Sequence, residues 1–448
     1  MSIAATYESA TSFTATVDAN GNTDLTGQCA VGTRIRAHCG TDGLKYGVVT
    51  AVSYSNPTTT VTMTGDALTA NLTSFDHGND TPASLANHGH TGIADGGLVA
   101  MSALTAMIAA LPGHYSRNQQ WAAKTVSTAA DRYTLLSPNR LAVDVEGILL
   151  WLTTQQTLVL SDASVWDSTT TDYTVAANRA GKDFSLYACN TSGALTLLVS
   201  ANTTSPSGYS TTTSRKLGGF HCLCADVGTI SGHTLTGYVA GDILPASIWD
   251  LQFRPVCSPA GMLYVSGIGK WADIYLASVA DSLLVSAFGG TCASGTSSTP
   301  FDWYDFTEWF GRIGKYLPKQ GEFMAAATGS NEGTNIYGSA APITTGGHSD
   351  TESRRLISNI GCEDCNGAMF QWGCDSGGPY AGASFVSQAT TRSTQQGSAY
   401  NLSDRVLFGS AWMNSTKCGT RASSWSNSPL LLANTVGARG FADLIRSF

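Results

Sequence analysis

Arg405-Val406-Leu407-Phe408-Gly409-Ser410-Ala411-Trp412, then Cys418-Gly419-Thr420-Arg421, then Gly437-Ala438-Arg439-Gly440-Phe441: this stretch decides how the chain reads. Two strand-like pieces and a closing Gly-x-Arg bracket a run of small, polar and aromatic residues between Trp412 and Leu430. The run is too polar for a core and too rich in tryptophan for a solvating linker. It reads as a set of loops held in a rigid frame. Trp412 belongs by its strand motif to the core, and Trp425, within the polar run, is the exposed anchor.

Upstream, two helices are expected. Asp302 to Ile313 places Trp303, Phe306, Trp309 and Phe310 on one stripe, which reads as core, and Gln320 to Ala327 is the second. Long Gly/Ser/Thr/Asn loops separate them from a small sheet, an α+β pattern. The last two hundred residues hold seven of the ten tryptophans.

Residues 131 to 245 look different. Thr157-Leu158-Val159-Leu160, Phe184 to Ala188 and Leu195 to Val199 are short strands joined by Ser/Thr/Gly-rich turns, the signature of a β-sandwich. Residues 1 to 86 form a small β module, with strands at Ser12 to Val17, Tyr46 to Val52 and Thr59 to Thr64 and turn signals at Asn20-Gly21 and Asn56-Pro57. Between the two, residues 87 to 130 carry His88-Gly89-His90 and an apolar series at Met101, Leu104, Ile108 and Leu111. That heptad-like spacing suits a short parallel bundle and equally an amphipathic helix packed on its own chain. Histidines two apart in an extended segment face one side, so three chains on a threefold axis would supply six imidazoles from His88 and His90, an octahedral set for iron, nickel or zinc. The other reading is a pair of loop histidines in solvent.

Composition narrows the function classes. Charged residues are 12% of the chain, about half the usual share. The 24 basic and 32 acidic residues give a net charge of −8 with no basic block, which disfavours nucleic acid. No apolar run reaches the length of a membrane span, and the start of the chain lacks the charged and apolar regions of a secretory signal. Eleven cysteines without such a signal read as mostly buried reduced thiols. Cys222-Leu223-Cys224 and Cys362-Glu363-Asp364-Cys365 are too remote in sequence to pair as a zinc ribbon.

Four pieces in order carry a family resemblance. Leu317-Pro318-Lys319-Gln320-Gly321-Glu322-Phe323 with Ala325-Ala326-Ala327, Gly367-Ala368-Met369-Phe370-Gln371-Trp372, Val406 to Trp412, and Gly437-Ala438-Arg439 resemble the formylglycine-generating-enzyme-like branch of the C-type lectin fold. The enzymes of that branch need a reactive cysteine pair or a histidine-and-carboxylate iron site. Here Cys418 stands alone in its segment and His348 is the single histidine after residue 245, so the chemistry does not carry over. In domain plan the chain is more similar to phage receptor-binding proteins of the major tropism determinant type and to other variable proteins of diversity-generating retroelements. Ser410-Ala411 stands where the pattern usually has Gly-Ser.

That resemblance implies a mainly β protein with an α+β C-terminal domain. Residues 1–86 would attach to the tail, 87–130 trimerise, 131–245 form an intermediate β-sandwich, and 246–448 form a C-type lectin-like receptor-binding domain. It implies a homotrimeric phage tail fibre adhesin, made in the host cytoplasm and carried on the virion, that binds other tail or baseplate proteins and a host surface protein or glycan. Receptor contact falls to Asn414, Ser415, Thr416, Thr420, Ser423, Ser424, Trp425, Ser426 and Asn427. No catalytic residue is assigned. The competing functions are a surface-glycan depolymerase, for which Asp302, Asp305, Glu308, Glu363, Asp364 and Asp375 supply carboxylates, and a structural baseplate or decoration protein.

Overall fold

The computed structural model describes residues 3–18, 20–78, 121–379, 385–387, 398–400 and 403–445. His88, His90 and the Met101, Leu104, Ile108, Leu111 series lie outside them. The chain divides into two compact units, Met1–Ala103 and Leu104–Phe448.

The first unit is a seven-stranded antiparallel sheet. Its strands run, edge to edge, Ile3–Ala4, Ser74–Gly78, Arg34–His38, Leu44–Ser55, Thr58–Gly65, Ser12–Ala15 and Thr6–Ser9. Strict alternation builds one apolar face, because successive side chains of a strand point to opposite sides. Phe13, Ala15, Ile35, Ala37, Val61, Met63 and Phe75 are buried on it, under Leu25, Cys29, Leu68 and Leu72 from the connections. The longest hairpin turns at Asn56-Pro57, where a turn was expected.

In the second unit, three small sheets enclose a core of Trp121, Leu135, Leu150, Leu158, Phe184, Leu186, Phe220 and Ile243. The largest sheet orders Ala194–Ser200, Asp183–Thr191, Ser214–His221 and Trp249–Asp250. Its last strand lies past Pro245, and one apolar cluster spans that point, joining Leu223, Leu235 and Leu244 to Leu263, Phe323, Phe408 and Phe441. Nothing in the sequence announced Arg179 as a core residue. It is buried beside this sheet with its guanidinium donating to the carbonyl oxygens of Tyr173 at 2.7 Å and Thr174 at 2.8 Å.

The remainder is the expected α+β part. A three-stranded sheet pairs Met262–Val265 with Lys270–Asp273, and Lys270–Asp273 with Phe441–Asp443. The beginning and end of this part are thus stitched together. A four-stranded sheet orders Ser423–Asn427, Ser403–Phe408, Phe370–Pro379 and Val436–Gly437. Helix α1, Trp303–Arg312, starts at a capping box: Asp302 accepts from the Asp305 N–H at 2.9 Å and Asp305 accepts from the Asp302 N–H at 3.2 Å. Its aromatic stripe is core, since Phe306 and Phe310 are fully buried and Phe301 stacks on Phe306. Helix α2, Gln320–Ala327, buries Phe323, Ala326 and Ala327 and leaves Met324 and Ala325 toward the surface.

Candidate receptor-binding surface

The bracket around residues 409–436 is held from below by one buried cation. Arg439 is fully enclosed. Its Nε donates to Gln371 Oε1 at 3.0 Å, and Nη1 and Nη2 donate to the carbonyl oxygens of Asp273 and Glu363. Gln371 sits mid-sheet, opposite Phe408 on one side and Gly437 on the other, and its Nε2 donates to the Cys365 carbonyl at 2.9 Å. The closing Gly-x-Arg therefore ties the last strand to the 361–367 turn and to the sheet that begins this part. Burial alone would make the charge costly, and the carbonyl dipoles offset that cost. Asp273, whose carboxyl burial pushes upward, pairs with Lys315 at 2.5 Å and accepts from the Gly440 N–H at 3.0 Å.

Above this anchor the chain turns sharply at Gly409 and Ser410, both left-handed, with φ of 85° and 66°. A Cβ on Gly409 would lie 2.2 Å from the Cys365 carbonyl oxygen, so only glycine fits. Ser410, at the position where the family pattern has glycine, adopts the same conformation and turns its hydroxyl to the Lys417 carbonyl at 3.2 Å. The Gly409 N–H donates to the Ala422 carbonyl at 3.0 Å, and the Gly367 N–H donates to the Gly409 carbonyl at 2.9 Å. Both legs of the segment are thereby clipped to the frame.

The nine expected contact residues fall into two groups. Asn414 accepts the Ala411 N–H at 2.8 Å and caps its own turn. Thr420 is half-buried: its hydroxyl accepts from Asn366 Nδ2 at 3.2 Å, and its N–H donates to Glu332 Oε1 at 3.1 Å. Asn427 Nδ2 donates to the Arg405 carbonyl at 3.1 Å and to the Ser424 carbonyl at 2.9 Å, and Ser424 donates back to Asn427 Oδ1 at 3.3 Å. These four side chains brace the segment. Ser415, Thr416, Ser423, Trp425 and Ser426 are exposed. Trp425 is 39% exposed, and its Nε1 donates to Ser423 Oγ at 2.9 Å, which fixes the ring on the surface.

One expectation changes here. Residues 423–427 are a strand, not a loop: Ser423–Asn427 pairs with Ser403–Phe408 and forms one edge of the four-stranded sheet. Trp412 is half-buried and packs on Ile336, Leu356 and Ala368.

Met413, 60% exposed, and the exposed cations Lys417 and Arg421 lie on the same segment, outside the nine residues expected for contact. Two further surfaces come from elsewhere in the chain, with no signal in the sequence that links them to this segment. Asn335 donates from Nδ2 to the Trp412 carbonyl, and Tyr337, two residues along the chain, is 72% exposed. Beside Thr420 and Arg421, an open groove is lined by Gly321, Met324 and Ala325 of helix α2 and by Thr328 and Glu332 from the chain that follows it.

The six carboxylates weighed as a depolymerase pair all have structural partners. Asp302 and Asp305 cap helix α1, and Glu308 pairs with Arg312. Glu363 pairs with Arg355 at 2.7 Å, Asp364 faces His348 at 3.0 Å, and Asp375 accepts the Gln320 N–H at 2.7 Å. None of the eleven cysteines is in a disulfide, nine are buried, and burial pushes the Cys418 thiol up to about 11.

Residues 142–250 match the family described as Mtd second domain. The tail fiber receptor-binding protein of Bordetella phage BPP-1 is 33% identical over 294 residues, covering 61% of this chain and 74% of that protein. The solved structure of the major tropism determinant P3c variant superposes with a TM-score of 0.60 at 28% identity, over 74% of this chain and 85% of that one. The U1 variant shares the fold over 92% of this chain and 95% of its own, with a TM-score of 0.61 at 24% identity. The chain belongs to the major tropism determinant family of phage tail fibre receptor-binding proteins.

Proposed function

We propose that this chain is the adhesin of a phage tail and meets a host surface receptor through the exposed side chains of residues 413–426, with Trp425 as the central anchor. One observation carries the assignment: within a single segment, Asn414, Thr420, Ser424 and Asn427 are spent on the frame while Ser415, Thr416, Ser423, Trp425 and Ser426 face outward. A braced backbone presents those side chains with little ordering cost on binding, the property that makes an aromatic and serine-rich surface effective. The Bordetella phage relative is named for receptor binding, which supports the same role here.

The assembly belongs to the same proposal. Three copies joined through the Met101, Leu104, Ile108, Leu111 series would multiply a weak single contact into useful avidity, and His88 and His90 would hold a transition metal on the shared axis. Residues 1–86 would dock on other tail or baseplate proteins, 131–245 would connect, and 246–448 would carry the contact surface.

The test is adhesion of the purified protein to a panel of bacterial cells, with Trp425→Ala as the comparator. We expect saturable binding to the host strain and a loss of at least about tenfold in the variant, the scale of an aromatic hot spot. Release of new reducing ends from envelope polysaccharide would overturn pure adhesion. Sedimentation of a monomer at micromolar concentration would overturn the trimer.

A further inference from the structure

The groove between helix α2 and the Thr420-Arg421 turn is a binding feature that the exposed loop residues do not account for. It measures about 660 Å³, within the roughly 300–1,000 Å³ common for ligand sites. Gly321 and Ala325 keep one wall low and Met324 adds a flexible apolar side chain. Glu332 and Arg421 line it as well. The carboxylate is already engaged, since Glu332 Oε1 accepts the Thr420 N–H at 3.1 Å and so fixes the turn that bears Arg421. A Cβ on Gly419 would sit 2.1 Å from Glu332 Oε2, so the turn and the carboxylate are in tight contact.

Arg421 is different. It is exposed and forms no ion pair with any described residue, and the same is true of Lys417 four residues earlier on the same segment. Four other basic side chains in this part of the chain are paired with carboxylates: Lys315 with Asp273, Arg355 with Glu363, Arg312 with Glu308 and Lys270 with Asp443. In a protein of net charge −8, residues 409–436 carry Lys417 and Arg421 and no Asp or Glu, so the proposed contact segment is itself cationic beside the Glu332 carboxylate of the groove. A guanidinium so placed offers a planar fork of donors that fits a carboxylate.

We infer that this groove is a subsite for an acidic segment of a host surface protein, with Arg421 receiving an Asp or Glu side chain and Lys417 adding to the local field. The inference rests on the adhesin reading and extends it to the chemistry of the receptor. A protein segment is favoured over an anionic sugar because no aromatic ring among the described residues lines the groove for a sugar face, whereas Met324 and the low Gly321–Ala325 wall suit a side chain and close backbone. Positive charge at the rim also speeds encounter with an acidic target.

The experiment presents the full chain to an array of peptides that differ only in Asp or Glu against Asn or Gln, with polysialic acid as a separate anionic-glycan arm. Wild-type protein should retain the acidic peptides about tenfold better than their amides, Arg421→Ala should erase the difference, and Arg421→Glu should favour Lys and Arg peptides. Because Arg421 is exposed and forms no ion pair with any described residue, Arg421→Ala should melt with the wild type, so its lost signal reports binding. Equal retention of acidic and amide peptides by wild type, an unchanged preference in Arg421→Ala, or stronger retention on polysialic acid would each overturn the subsite. If the wild type adheres to cells while Arg421→Glu adheres equally, the subsite falls and the adhesin stands.

Discussion

Arg439 Nε donates to Gln371 Oε1 at 3.0 Å, and this bond joins the closing Gly-x-Arg to the central strand of the sheet on which the contact segment stands. The same guanidinium satisfies backbone carbonyls at residues 273 and 363, which come from two other parts of the fold. Replacing Arg439 with Ala leaves those acceptors buried without a donor and opens a void beneath the segment. The expected loss is about 3–5 kcal/mol, the scale for removing one partner of a buried charged network. Urea unfolding measures it, and a loss under about 1 kcal/mol would mean that the frame does not depend on this anchor.

Gly409→Ala tests the sharp turn directly. The φ of 85° is unfavourable for any L residue, and the new Cβ would meet a main-chain oxygen at 2.2 Å, which cannot swing aside. The expected cost is at least about 2 kcal/mol. Ser410, at a φ of 66°, gives the matching control: Ser410→Gly relieves a left-handed serine and should hold or raise the melting temperature.

Much of this frame was legible beforehand. Gln320–Ala327 has the expected ends, and Trp303–Arg312 follows from an Asp cap and an aromatic stripe at helical spacing. The parts that escaped are those set by distant contacts. Ser423–Asn427 is poor in strand-forming residues, so local preference reads it as loop, and only its pairing with Arg405, Leu407 and Phe408 makes it a strand. Glu332 and Met324 lie some ninety residues before Arg421, and no periodicity links them. Arg179 and Arg439 look like surface residues by type, because a sequence does not display the carbonyls that will surround them.

The His348 and Asp364 pair gives stability a pH dependence. Burial alone would lower the histidine's pKa, but the bond and charge of the fully buried Asp364 outweigh it and leave the value raised above 6.5. A raised folded-state value means the charged histidine stabilises fully below about 6.5, and that contribution is lost as pH climbs through the folded value. The wild type should therefore lose more stability between pH 6 and pH 8 than His348→Gln, as read from urea midpoints. Parallel curves for the two proteins would refute the linkage.

The separation of bracing from display makes the sharpest prediction about residues 414–427. Ser415, Thr416 and Ser426 are exposed, so Ala at any of them should change stability by no more than about 0.5 kcal/mol. Asn427→Ala is different, because Nδ2 ties the edge strand to the Arg405 carbonyl and to Ser424; it should cost about 1–2 kcal/mol. Thr420→Val should cost a similar amount by leaving Asn366 Nδ2 without one of its acceptors. Binding should move the opposite way, with the exposed set altering adhesion while leaving the melting temperature in place. If the exposed serines prove as costly to remove as Asn427, the segment is packed rather than displayed, and the contact surface must be sought elsewhere on this part of the chain.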